Sequence, residues 1–195
     1  MNKAISNIHQ MYNKMGSNLE ETLNSEIVSV SYSCKSKNFL TFIQESRDLF
    51  NYLANDVLLR RKEIEIHLHE SMKHQMLTRL LEMKFYSEVN IFDTRRLLAV
   101  SSDCISTIQI LIRDKIYLNC YLRSSDYLGA LPVDLEKISE LPKALIEHIE
   151  YYSDLLEYSE CTEEKIQELK NKEIELTLSF GSLHIIDLGN QKENL

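Results

Sequence analysis

The sequence has no tryptophan, only four glycines and two prolines, and no CxxC pair among its four cysteines. Scarce Gly and Pro exclude a linker-rich or low-complexity chain, because those residues are the ones that punctuate a backbone. Isolated cysteines exclude a disulfide scaffold, so Cys34, Cys104, Cys120 and Cys161 are expected as free thiols of a reducing compartment, any one of which can serve as a nucleophile. Long apolar runs are missing as well. The stretch from Ile108 to Ile112 is far short of the roughly 20 residues that a membrane span needs, and MNKAISNIHQ lacks an apolar signal core. The expectation is a cytoplasmic protein without membrane association. An excess of positive charge is lacking too: 22 basic side chains face 30 acidic ones, for a net charge of -8. Bulk attraction to nucleic acid is therefore disfavoured, and an anionic ligand has to be met by local arginines.

What is present is 195 residues at 44% hydrophobic composition, without repeats or linkers, which predicts one compact domain over residues 1–195. Apolar positions at Ile5, Ile8, Met11, Tyr12, Met15 and Leu19 predict a helix within 2–24. Strict alternation then predicts a strand over 28–34, with Val28, Val30, Tyr32 and Cys34 on one side and serines on the other. Helical spacing returns over 38–60, alternation over 63–70, and helical spacing again over 72–86. Segments rich in β-branched residues and Leu predict strands over 96–100, 105–112, 116–122 and 174–186, with a long helix over 135–158 begun by Asp134 or a near neighbour. Runs of strand separated by long helices give an α+β layer structure.

Two clusters carry little. In HLHESMKH, His67 and His69 share a strand face and invite a metal reading with His74, yet no cysteine or further histidine completes a zinc pattern. We expect no metal. The basic run Arg60 to Lys62 reads as a solvated helix end in an acidic chain.

Residues 93–134 are more informative. DTRRLLAV sets Arg95 and Arg96 before a short apolar strand, and Cys104 is followed five residues later by Gln109. After a hairpin turn come Arg123, Ser124, Ser125 and Asp126, then Gly129, Leu131, Pro132, Val133 and Asp134, and near the C-terminus Gly181, Ser182, Leu183, His184, Ile185 and Ile186. In this order and spacing the sequence resembles the thymidylate synthase superfamily, including its pyrimidine nucleotide hydroxymethylase branch. The resemblance implies a large twisted mixed sheet packed by helices. Its exposed face would form a homodimer, with Arg95 and Arg96 reaching the partner's phosphate. It further implies that Cys104 is the nucleophile. Arg95, Arg96, Gln109, Arg123, Ser124, Asp126 and His184 would form the substrate-binding set, and 5,10-methylenetetrahydrofolate would be the one-carbon donor.

The residue types suit that chemistry. Guanidinium forks and a serine hydroxyl can hold a monophosphate, and a nearby cation favours the thiolate, the nucleophilic form of cysteine. A thiolate adding to C6 of a pyrimidine leaves C5 as an enamine-like carbon nucleophile. Against this stands the reading of Cys104 as a small core residue.

Departures from the family pattern narrow it further. Asp134 stands where thymidylate synthases carry Asn and the cytidylate hydroxymethylases carry Asp. A carboxylate only accepts hydrogen bonds, so it suits the amino group of CMP or dCMP, while a helix-cap role remains open beside that one. The family's general acid/base Glu aligns with Asp48, with Glu45 as the other candidate. There is no Trp to stack on folate, and the chain ends soon after His184, so the segment that closes over folate is expected to be missing. Two readings follow. One is a transferase that hydroxymethylates C5 of CMP or dCMP. The other is a catalytically degenerate relative that binds a nucleotide or a partner protein, the latter a possible source of the missing site elements.

Overall fold

The computed structural model describes residues 6–19, 26–54, 72, 74–78, 97–102, 104–153 and 162–185. The expected strand over 63–70, with His67 and His69, lies outside them, as do the basic run at 60–62, Cys161 and both Arg95 and Arg96. His74 is exposed, in a helical segment over 74–78.

The chain is α+β, as its patterning predicts. Helix α1 (Asn7–Asn18) starts at Ser6, whose hydroxyl accepts from the His9 amide, and buries Ile8, Met11, Tyr12 and Met15. Strand β1 (Glu26–Ser36) leads to α2 (Phe39–Ala54), where the Asn38 side chain accepts from the Thr41 amide at 2.9 Å. Strands β2 (Leu97–Val100), β3 (Ile105–Ile112), β4 (Ile116–Leu122) and the short β5 (Ser125–Asp126) follow. Helix α3 (Leu131–Ser153), helix α4 (Glu163–Asn171) and strand β6 (Ile174–His184) complete the order.

The strands form one six-stranded sheet in the order β1-β6-β4-β3-β2, with β5 also paired to β6. β6 runs parallel to β4 and β5 and antiparallel to β1, so the sheet is mixed. β4 and β5 keep the same register against β6, Leu122 facing Phe180 and Ser125 facing Leu183, so β5 is β4 resumed after a break at 123–124. Alternate residues of the strands, such as Ile108, Leu118 and Leu178, are fully buried and merge with α1, α2 and α3 into one core cluster. No helix among the described residues is long and apolar enough to cross a membrane.

Three expectations need correction. Val28 is 65% exposed, although simple alternation places it with Tyr32 and Cys34. Ser29 adopts a φ of 52°, which reverses the pleat, and Ile27 and Val30 pack against the core instead. The long helix begins at Leu131, and the Asp134 amide already donates to the Ala130 carbonyl at 2.9 Å. Asp134 therefore sits inside the first turn and is not the cap. Helix α4 was not anticipated, although Thr162 accepting from the Lys165 amide, Glu163 and Glu164 in the first turn and Lys170 in the last are ordinary start and stop signals.

The α2–α3 contact holds a buried carboxylate. Glu136 is 6% exposed, its Oε2 has no hydrogen-bond partner among the described residues, and Arg47 Nε lies 3.4 Å from Oε1. Burial pushes its carboxyl above the ordinary glutamate value, an effect that Arg47 partly offsets. A carboxyl with a raised folded pKa binds its proton more tightly in the native state. Its contribution is therefore full below the unfolded value of about 4.3 and is lost as pH rises through the folded value. Glu136→Gln is expected to stabilise the fold at pH 7.5 by about 1 kcal/mol, roughly 2–4 °C in Tm, and to give no gain at pH 4. Thermal melts of both proteins at the two pH values check this.

Candidate functional site

Backbone hydrogen bonds draw the separated motifs to one end of the sheet. The Arg123 amide donates to the Cys104 carbonyl at 2.9 Å, and the Arg123 carbonyl accepts from the Ser182 amide at 3.2 Å. Two residues on, Ser125 and Asp126 pair with Leu183 and His184, and the Tyr127 amide donates to the His184 carbonyl at 2.8 Å. Cys104, Arg123 and His184, up to 80 positions apart in the chain, thus occupy neighbouring strand ends because β3, β4 and β6 all break at that level. A break of this kind re-aims side chains, and sheets use it at barrel rims and beside active sites.

Of the three described cysteines only Cys104 is exposed. Cys34 is held as a thiol by burial and by Glu45, its pKa pushed up to about 12, and burial pushes the Cys120 thiol up as well. Strict alternation would set residues five apart on opposite faces. The register irregularity between Ile105 and Thr107 changes that parity, leaving Ile105 and Ile108 both buried at a spacing of three. Gln109, opposite Asn119 of β4, then lies on the outward face that Cys104 shares by the same count. Arg123 is exposed and makes no ion pair with another described residue, and Ser124 lies half-buried between β4 and β5.

The two aspartates are buried. Asp126 Oδ2 accepts from the Gly129 amide at 2.8 Å and its carbonyl from the Ala130 amide at 3.0 Å, so Asp126 holds the turn that starts α3. Asp134 is 5% exposed and accepts from the Ser125 hydroxyl at 3.1 Å. It sits behind β5, one serine away from the strand ends, at the positive end of the α3 dipole.

The structure does not bring the proposed proton-transfer carboxylates to this cluster. α2 buries Phe42, Ser46 and Leu49, which turns Asp48 out to solvent, where its Oδ1 accepts from Gln44 at 2.9 Å. Glu45 accepts from the Ser36 hydroxyl, and Ser36 pairs with Ile174, seven residues before Gly181 on β6. At the usual strand rise that is roughly 23 Å from the strand ends. Sequence reading named Ser125 and Ser182 within the motifs without giving them a role, and it missed Tyr127 and Glu26. Ser182 was visible within GSLH, but Glu26 enters only through the register of β1, where it faces His184.

No protein-family model matches the sequence, and no curated protein matches it. Among solved structures, the chain is similar to the crystal structure of thymidylate synthase from T4 phage, at 13% identity and a TM-score of 0.49, over 95% of this chain and 80% of that one. That is a likeness of backbone, so the function has to be read from this chain's own residues. Among the described residues no group of three His, Cys, Asp or Glu is placed to hold a metal ion.

Exposure and burial together order the thiols by reactivity. Brief alkylation of the native protein with iodoacetamide, followed by peptide mass mapping, is expected to modify Cys104 at least about tenfold faster than Cys34 or Cys120. In Cys104→Ser the fast modification is lost while the slow sites are unchanged.

Proposed function

We propose that the chain binds a pyrimidine nucleoside monophosphate at this strand-end cluster and transfers a one-carbon unit to C5, with CMP or dCMP as substrate. The observation that carries the reading is that the Arg123 backbone bonds to Cys104 on one side and to Ser182 on the other, with His184 two residues further along β6 and paired with Asp126. An exposed guanidinium without an ion pair to a described residue suits a phosphate in a chain whose overall charge would repel one. The Cys104 thiolate would form a bond to C6, moving the C5–C6 electron pair into the ring and leaving C5 nucleophilic. After C5 gains its new substituent and loses its proton, expulsion of the thiolate restores the ring. In this reading Gln109, Ser124 and His184 orient the nucleotide, and Asp126 keeps the turn beneath it in place.

Methylenetetrahydrofolate, the donor implied by the family resemblance, is a poor fit to the described residues. There is no Trp, and the ring of Tyr127 is already stacked on Tyr12 at 4.4 Å between centroids. We therefore derive no step through it. The same observation, with Asp48 turned to solvent, favours a second reading in which the chain binds the nucleotide without completing the transfer, or relies on a partner protein for the missing elements.

Base choice rests on Asp134. A carboxylate accepts from the cytosine amino group and is repelled by uracil O4, so CMP or dCMP is expected to bind at least about tenfold tighter than its uracil analogue. Asp134→Asn should erase or invert that ratio, while Arg123→Ala weakens both ligands alike. Calorimetric titration of each nucleotide into the three proteins decides it. Equal wild-type affinities would leave Asp134 a structural residue in the first turn of α3, where it accepts from Ser125.

The reading includes a homodimer through the outward face of the sheet, where Leu98, Val100 and Tyr121 are 41%, 53% and 45% exposed. Light scattering at tens of micromolar is expected to report a dimer and Val100→Lys a monomer. A monomeric wild type removes Arg95 and Arg96 from the shared site.

A further inference from the structure

Beside the strand ends lies a three-residue relay that the proposed reaction does not use. The Ser182 hydroxyl donates to Glu26 Oε1, and the Ser182 oxygen lies 3.1 Å from His184 Nδ1. Glu26 and His184 are direct partners in the antiparallel β1–β6 ladder, so the contact is built by the strand register and does not depend on a loop.

A serine hydroxyl has one proton. A carboxylate can only accept, so that proton is committed to Glu26, and the Ser182 oxygen is left as an acceptor towards the imidazole. The neutral ring of His184 must then carry its proton on Nδ1, which leaves Nε2 with a lone pair. In a free imidazole neither nitrogen is tied in this way. A ring-nitrogen partner commonly fixes which nitrogen of a working histidine is protonated, and here the partner is a serine whose own direction is set by a carboxylate. Ser182 alone would not suffice, since without Glu26 its hydroxyl could rotate and donate to Nδ1.

We infer that Glu26 is a positioning residue which, through Ser182, locks His184 as the Nδ1–H tautomer and so presents Nε2 as a hydrogen-bond acceptor to a hydroxyl group of the ligand. A ligand offering only acceptors to Nε2, a phosphate or a carbonyl, is disfavoured at that position. For the nucleotide of the proposed function this agrees with the sugar contact that the family resemblance already implies for His184; what the structure adds is the relay that fixes its tautomer. This ligand half rests on the nucleotide reading, whereas the tautomer half does not.

The test separates the two halves. With ¹⁵N-labelled histidine in the full chain and no ligand, two-dimensional NMR at pH 8.5 is expected to give a protonated Nδ1 and an unprotonated Nε2 for His184. Glu26→Ala and Ser182→Ala should each move the proton towards Nε2 while the rest of the histidine spectrum, a check that the fold is kept, stays in place. A wild-type ring protonated on Nε2, or a tautomer indifferent to both substitutions, overturns the inference. Titration with dCMP and with its dideoxy analogue follows. The wild type is expected to prefer the hydroxyl-bearing ligand about tenfold, and Glu26→Ala to lose most of that preference. A preference that survives in Glu26→Ala with its tautomer changed overturns the ligand half. If neither nucleotide binds a wild type that has the expected tautomer, the nucleotide reading fails and the relay stands.

Discussion

Gly181 leaves no room for a side chain: a Cβ there would lie 2.6 Å from the Arg123 carbonyl oxygen and 2.8 Å from the Tyr121 hydroxyl. β6 can pass the end of β4 only as bare backbone, and the site end of the sheet follows from that passage. It lets the Ser182 amide reach Arg123, and it lets β5 resume against Leu183 and His184 in the register that β4 left. Opposite Gly181 on β1 stands Ser29, in a left-handed conformation that costs roughly 1–2 kcal/mol and that a serine adopts only when its surroundings impose it. The same level is marked on β3 by the irregularity after Ile105. Four neighbouring strands leave regular pairing along one line across the sheet; the exposed Cys104 and Arg123 sit on that line, and the half-buried His184 lies three residues beyond it on β6.

The periodicity of the strands made the fold legible. Residues 105–112 and 116–122 are so rich in β-branched residues and Leu that their limits could be read from the sequence, and the structure keeps them. Where the pleat breaks, alternation misleads, because Val28 looks like its neighbours and only the conformation of Ser29 turns it outward. The site was legible where its residues fall in contiguous motifs, such as Arg123 to Asp126 and Gly181 to His184. It was illegible where partners meet through register or packing. Nothing near Glu26 announces that it faces His184, and nothing in DLFNYL says that Leu49 rather than Asp48 points inward. Asp134 is the mixed case: its residue type stood out in the sequence, and its place in the helix was misjudged by about one turn, since the helix starts at Leu131.

Charge is distributed so that one end of the sheet is neutralised internally and the other is not. At the far end Lys115 Nζ lies 2.6 Å from Glu175 Oε2 and 3.4 Å from Glu173, and Lys35 lies within 4 Å of both carboxylates, as their salt-bridge distances of 3.7 and 3.8 Å give. Such exposed pairs add little stability, but they leave no net field at that end. At the strand ends Arg123 has no such partner among the described residues, while Asp126, Asp134 and Glu26 are hydrogen-bonded to Gly129, Ser125 and Ser182. In a chain with net charge -8 an anion has to be met by a local cation of this kind.

The N-terminal helix belongs to the same mechanical unit. The Tyr12 hydroxyl donates to the Tyr127 carbonyl at 2.7 Å, the Tyr127 hydroxyl donates back to the Tyr12 carbonyl at 3.2 Å, and the rings stack between them. Desolvation raises both phenol pKa values, so the hydroxyls remain donors throughout the range in which the protein would work. Tyr127 is the residue whose amide holds the His184 carbonyl, and it follows Asp126, which starts the turn into α3. A displacement of α1 would therefore act on His184 from one side, while the β1 register acts on it from the other through Glu26. The residue proposed to meet the ligand is placed by two elements that are remote in sequence, and both must dock before its ring can be fixed.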